Sequence, residues 1–182
     1  MTTALLVIDM INALDFEGGE RLLARALPAA EHIAALKQRM RAAGLAVVYV
    51  NDNFGKWRSD FRSLVEHCLK PGVPGGPLAE RLAPDGEDYF VLKPKHSGFH
   101  CTALEVLLAH LGVRRLVLTG IAANFCVLFT AQDAYMRDFE LAVPEDCVAA
   151  QSADEEAYAL RHMARVMRAD TRRSELLALE KD

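Results

Sequence analysis

The stretch L-V-L-T-G-I-A-A-N-F-C-V-L-F, from Leu116 to Phe129, decides how the rest of the chain is read. Its first half is apolar and ends in Thr119-Gly120, the pattern of a strand buried on both faces. A short link, Ile121 to Asn124, follows. Phe125-Cys126-Val127 then opens a segment whose spacing predicts a helix through Arg137. Cys126 is thereby placed near the amino end of a helix that begins just after a buried strand. Free backbone N–H groups and the positive end of the helix dipole favour a thiolate there. Cys126 is a candidate nucleophile on these grounds. The competing assignment, a small buried core residue, is the commoner fate of a free cysteine.

Working outward, strands and helices alternate. Ala4 to Ile8 is a continuous apolar run ending at Asp9. Apolar residues from Glu20 to Ala43 recur at helical spacing, with Gly44 as the stop and Pro28 as a point where the segment can split. Leu45 to Val50 is a second buried strand, ending at Asn51-Asp52-Asn53. Asp60 to Leu69 reads as a short helix and Lys70 to Pro77 (K-P-G-V-P-G-G-P) as a loop. Tyr89 to Leu92 is a third strand, ending at Lys93. Thr102 to Leu111 is helical. Leu141 to Val143 is a fifth, weaker strand, and Asp154 to Met167 a helix capped by Ser152, with Glu155 completing a capping box. The last dozen residues fit either a short edge strand with a helix or a helical tail. This alternation predicts one α/β domain over residues 1–182, a parallel sheet covered on both faces.

Composition narrows the function. The 182 residues are 52% hydrophobic and 25% charged, with a net charge of -4. There is no basic excess to neutralise phosphates, so nucleic acid is not an expected partner. No apolar run is long enough to span a bilayer, and no secretory leader is recognisable, so neither membrane association nor export is expected. Four cysteines without C-x-x-C spacing fit a reduced, cytoplasmic protein, with Cys68, Cys101 and Cys147 structural. Glycine-rich phosphate cradles and a G-x-S-x-G elbow are absent. His96 and His100 are separated by a turn-like S-G-F, which argues against a shared metal ion.

In a parallel α/β sheet, ligands bind outside the carboxyl ends of the strands. There the first strand delivers Asp9, the second Asn51 and Asp52, the third Lys93, and the fourth the segment carrying Cys126. An acid, a base and a thiol thus converge on one edge from three different strands.

These residues, in the blocks A-L-L-V-I-D-M-I-N, L-K-P-K-H-S-G-F-H-C-T-A-L and L-T-G-I-A-A-N-F-C-V, resemble the isochorismatase-like cysteine hydrolases. That family includes nicotinamidases, N-carbamoylsarcosine amidohydrolases and ureidoacrylate amidohydrolases. The resemblance spans nearly the whole chain. It implies a doubly wound, three-layer, Rossmann-like domain with a five- or six-stranded, mainly parallel sheet in the order 3-2-1-4-5, with a possible sixth strand beyond. It further implies a triad of Asp9, Lys93 and Cys126. A cis peptide between Ile121 and Ala122 would turn the Ala122 N–H toward the site, beside the Cys126 N–H, as an oxyanion hole. In the implied reaction Asp9 accepts the thiol proton, Lys93 favours the thiolate, and the thiolate attacks a carbonyl carbon. Asp9 then protonates the departing amine and serves again as base while water hydrolyses the acyl-enzyme.

The stretch N-D-N-F-G-K-W-R-S-D-F departs from the metal-binding nicotinamidases, because Phe54 stands where a histidine would be. No metal and no cofactor are expected, and the resemblance is to a metal-free branch. Asn51, Trp57, Phe61 and Ser97, with Arg58, are candidates for lining a small-molecule pocket. The expected activity is cleavage of an amide, ureido or carbamoyl C–N bond. Two alternatives stay open: a vinyl-ether hydrolase in which Cys126 is a bystander, and a binding or assembly protein without turnover. The family tends to self-associate, which implies a homo-oligomer, a dimer or tetramer.

Overall fold

Alternating side chains on the first strand define the layers. The computed structural model describes residues 2–55 and 60–179. In it β1 (Thr3–Ile8) is buried along its whole length. Leu5 and Val7 enter one apolar core, while Ala4, Leu6 and Ile8 enter another on the opposite face. A strand buried on both faces needs apolar residues at every position, which is why the run is continuous rather than alternating.

β1 is flanked by β2 (Ala46–Asp52), with Ile8 opposite Val50, and by β4 (Arg115–Ile121), with Ile8 opposite Gly120. β3 (Tyr89–Lys93) forms one edge against β2, with Lys93 opposite Asp52. All these pairs are parallel, and the order is β3-β2-β1-β4-β5, where β5 is Glu140–Ala142. This is the order expected from the resemblance. The sixth strand, β6 (Val148–Ala149), does not extend the sheet beyond β5. It pairs with Gly120 and Ile121 at the carboxyl end of β4, while β5 pairs with residues Arg115 to Val117 of the same strand. Both strands are too short to span β4, so they share it end to end.

The helices cover both faces. α1 (Gly19–Ala42) lies on one, packing Leu22, Ala26, Ile33 and Met40 into the first core together with α2 (Phe61–Cys68) and α3 (Gly76–Arg81). α4 (Leu104–His110), α5 (Leu128–Tyr135) and α6 (Ala153–Met167) supply Leu104, Leu108, Ala131, Ala134, Ala159 and Met163 to the second. α1 continues through Pro28, which is exposed, so the missing bond and the carbonyl it frees face water. α3 begins inside the segment read from sequence as a loop. Its proline stands in the first turn, where no N–H is needed. At the end of the chain Asp170 bridges to Ala142, and a short 3₁₀ turn, Ser174–Leu176, follows. No helix among the described residues is long and apolar enough to cross a membrane.

Gly120 sits opposite Ile8, where the β1 backbone leaves no room for a side chain. Its φ is +110°, and a Cβ there would lie 2.0 Å from the Ile8 carbonyl oxygen. Backbone cannot yield as a flexible side chain can. Gly120→Ala is therefore expected to destabilise the protein by about 3 kcal/mol or more. The measurement is urea unfolding, read as a lower midpoint at unchanged slope. A wild-type midpoint would show that the two strands part without cost.

Candidate active site

The carboxyl ends of β1, β2, β3 and β4 bring one cation into contact with two carboxylates and a thiol. Lys93 ends β3 with no exposed surface. Its Nζ lies 2.9 Å from Asp9 Oδ2, 3.5 Å from Asp52 Oδ2 and 3.5 Å from Cys126 Sγ. Asp9 leaves β1 at φ 52°, its N–H bonded to the Val50 carbonyl. Its second oxygen, Oδ1, accepts from the Asp52 N–H at 2.7 Å. That turn aims the carboxylate across the strand ends toward Lys93 rather than along the strand.

Cys126 lies in a π-helical turn, Ala123–Val127, ahead of α5. β4 runs on to Ile121, so the link expected between strand and helix is reduced to Ala122. The Ile121–Ala122 peptide is cis. The Ala122 carbonyl accepts from Phe125 N at 3.0 Å and from Val127 N at 3.2 Å, passing over the Cys126 N–H that lies between them. A regular helix would have bonded that carbonyl to Cys126 instead. The wider turn is a feature that apolar periodicity does not reveal.

The electrostatics revise one expectation. The Cys126 thiol is not held as a resting thiolate. Burial, with the adjacent Asp9 charge, pushes it up to about 12, and Lys93 offsets this only in part. Burial also raises Asp9 above the ordinary aspartate value, against the pull of Lys93. Burial works against the Lys93 charge, but Asp9, Cys126 and Asp52 outweigh it and hold the ammonium protonated. The arrangement is thus a neutral thiol beside a carboxylate of increased basicity and a fixed positive charge.

A cavity of about 370 Å³ opens over the sulfur. Its walls include Asp9, Asn12, Asp52, Cys126, Ala122 and Gln151, with Phe16, Phe54, Phe125 and His96 at the rim. Three pocket candidates stand elsewhere. Asn51 is fully buried and donates to the Ile11 carbonyl at 2.7 Å, tying β2 to the segment after β1. Phe61 is buried against Tyr49 and Phe90, with ring centroids 5.7 and 5.1 Å away. Ser97 is buried and bonded to Asp133. Trp57 and Arg58 lie outside the described residues. Cys101, expected in a packed helix start, is exposed, whereas Cys68 and Cys147 are buried.

The loop after Lys93 is anchored to the Cys126 helix. The Gly98 N–H donates to Thr130 Oγ1 at 3.0 Å, and Thr130 Oγ1 donates to the Cys126 carbonyl at 2.7 Å. Ser97 meets Asp133, which Arg137 also grips while reaching Glu105 at 2.8 Å. Thr130 and Asp133 were not singled out in the sequence. Their signal was there in the spacing, since 126, 130 and 133 share one helix face. Its spacing to His100 bears only on metal binding, but His96 has its Nδ1 3.9 Å from Cys126 Sγ.

Among the described residues, no three histidine, cysteine, aspartate or glutamate side chains are grouped to hold a metal ion. The Asp52 carboxylate is already engaged, accepting from the Phe54 N–H at 2.6 Å and facing Lys93. The donor set therefore does not fit the metal site of the nicotinamidases.

Comparison with known proteins identifies the family. Residues 3–173 match the isochorismatase domain family. The chain is 41% identical over 167 residues to the uncharacterized isochorismatase family protein YaaI of Bacillus subtilis, covering 92% of this chain and 91% of that one. It is 32% identical to a ureidoacrylate amidohydrolase RutB of Methylorubrum extorquens, over 76% of this chain and 66% of that protein. Among solved structures, N-carbamoylsarcosine amidase from Thermoplasma acidophilum superposes with a TM-score of 0.74 at 30% identity, over 97% of this chain and 99% of that one. Nicotinamidase PncA from Bacillus subtilis does so with a TM-score of 0.72 at 26% identity, over 94% and 100%. With the match over residues 3–173, the 41% identical relative and the shared sheet fold, the chain belongs to the isochorismatase-like hydrolase family.

Proposed function

We propose that this protein is a cysteine amidohydrolase that cleaves the C–N bond of a small amide, ureido or carbamoyl compound through an acyl-Cys126 intermediate. The observation that carries this reading is the Lys93 ammonium, 2.9 Å from Asp9 and 3.5 Å from the Cys126 sulfur. The relatives named for amidase or amidohydrolase activity support the bond type. A cavity of about 370 Å³ suits a small molecule.

Because the thiol is neutral at rest, its proton must leave as the sulfur attacks. Asp9, whose basicity burial has raised, takes it, and Lys93 balances the charge that shifts to the sulfur. The Ala122 and Cys126 N–H groups receive the charge that develops on the carbonyl oxygen. When the tetrahedral intermediate collapses, the C–N bond breaks and the amine leaves with the proton from Asp9. Asp9 is then a carboxylate again, and the acyl group remains on Cys126.

Cys126→Ala is expected to abolish amine release across a panel of amides, ureido acids and carbamoyl amino acids while leaving the unfolding midpoint near wild type. Full activity in that variant would reassign the reaction to chemistry without a thiol nucleophile, such as vinyl-ether hydrolysis.

Asp9→Asn separates thiolate formation from turnover. Burial still raises the thiol, but the substitution removes the Asp9 charge that adds to it while Lys93 remains, so iodoacetamide should label Cys126 faster at neutral pH than in the wild type. Turnover should fall by about a hundredfold or more, because the carboxylate that takes the proton is gone. Slower labelling would mean that Asp9 helps to ionise the thiol at rest.

The pH profile follows from the same pair. Protonated Asp9 cannot accept the thiol proton, so activity is lost as pH falls through its pKa in the folded protein. Since that pKa is raised by burial, the acid limb of kcat/KM should lie above the ordinary aspartate value. A limb at or below that value would remove Asp9 as the acceptor.

A further inference from the structure

The segment that follows Asp9 brings to the cavity a hydrogen-bond donor that the reaction does not use. We propose that Asn12 selects the substrate: its side-chain amide N–H donates to an acceptor outside the scissile amide, so the preferred substrate is a small amide that carries a second oxygen or nitrogen acceptor. This rests on the cavity over Cys126 being the site of amide cleavage.

The orientation of the Asn12 amide follows from its partner. Asn12 is 8% exposed and lines the cavity together with Asp9 and Cys126. Its Oδ1 accepts from the Leu14 N–H at 2.9 Å. Only an oxygen can accept there, so the other end of the amide is the NH2 group. Among the described residues nothing accepts from that nitrogen, and it is not one of the sealed, unpaired atoms. Asn51 makes the contrast: its nitrogen is committed to the Ile11 carbonyl at 2.7 Å, and its oxygen is sealed in the interior.

The loop that carries Asn12 is fixed from three sides. The Asp9 N–H bonds to the Val50 carbonyl at 3.0 Å, the Ile11 carbonyl takes Asn51, and the Ala13 carbonyl accepts from the Gly75 N–H at 2.8 Å. Gly75 belongs to the proline- and glycine-rich segment, and a Cβ there would lie 1.7 Å from the Asn12 carbonyl oxygen. That segment therefore packs its backbone directly on the loop, and the donor is held in place before any substrate arrives.

The neighbouring walls make the donor selective. Asp9 and Asp52 are acceptors, already paired with Lys93 and with backbone N–H groups. Phe16, Leu22 and Ile121 are apolar. A substrate that displaces water from this wall and offers only carbon leaves the Asn12 NH2 group unpaired. An acceptor-bearing analogue of the same shape restores the bond, and the difference is worth about tenfold or more in kcat/KM.

The test measures amine release for amides of matched shape that differ by one acceptor atom: butyramide with methoxyacetamide, N-butylacetamide with N-(2-methoxyethyl)acetamide, and benzamide with the pyridinecarboxamides. Each kcat/KM ratio is divided by the ratio for hydroxide hydrolysis, which removes the intrinsic reactivity of the amide. Asn12→Asp keeps the oxygen for the Leu14 N–H and replaces the donor by an acceptor; Asn12→Ala removes the donor without adding charge. A charge felt at Asp9 or Cys126 slows both members of a pair alike and cancels in the ratio. In the wild type at least one series should favour its acceptor-bearing member by about tenfold or more, and in both variants that preference should fall to within about twofold. A wild type with no such preference in any series would overturn the proposal. So would a preference that survives in either variant, or an equal loss for both members, which would make Asn12 a support for its loop or a donor to the scissile carbonyl. Amine release that survives Cys126→Ala would instead remove the nucleophile, and the pair ratios would still decide on Asn12.

Discussion

A lysine with no exposed surface holds this site together. The Lys93 ammonium has Asp9, Asp52 and the Cys126 sulfur within 3.5 Å, and each arrives on a different strand or on the turn after one. Burying such a charge is costly unless it is paired closely, and removing one partner of a buried pair typically destabilises by about 3 to 5 kcal/mol. The four strand ends must therefore meet within a narrow tolerance. The parallel register provides this: Ile8 opposite Val50, Ile8 opposite Gly120, and Asp52 opposite Lys93. The continuous apolar strands and the close approach at Gly120 exist in service of that register.

The same enclosure shapes the chemistry. Burial raises both the thiol and Asp9, so neither ionisation is favoured in isolation, and the fixed ammonium sets the balance between them. A resting thiolate would be open to oxidation and to stray electrophiles. A neutral thiol beside a carboxylate is protected from both.

Much of the fold was legible in the chain. Three apolar runs, from Ala4 to Ile8, Leu45 to Val50 and Leu116 to Thr119, read as strands covered on both faces, and the helical spacing between them pointed to a parallel sheet. Asp9 and Cys126 stood out because each follows such a run, and Lys93 because it ends the shorter run from Tyr89 to Leu92. Less legible were features that depend on close packing. α3 hid in a proline- and glycine-rich segment, because its short helix gains its stability from burying Leu78 and Ala79 rather than from propensity. Pro28 looked like a break, but it sits on the solvent side of a helix held by the sheet. Ser97 and Asn51 looked like pocket residues by their place near or at the strand ends, and Phe61 by the resemblance of its stretch to a metal-free branch of the family. Each instead turns into the protein, toward Asp133, Ile11 and Phe90 respectively.

By itself the sequence determined the layer architecture, the strand ends and the chemical types gathered there, because periodicity and strand-end position are local properties of the chain. The tertiary structure alone decided the distances and the protonation states. Whether Cys126 rests as thiol or thiolate depends on how deeply it is buried and on which charges lie within a few ångströms. Whether His96 faces the sulfur depends on a loop fixed by side chains more than thirty residues away. Electrostatic energy depends on separation and on the surrounding medium, and neither is written in the order of the residues.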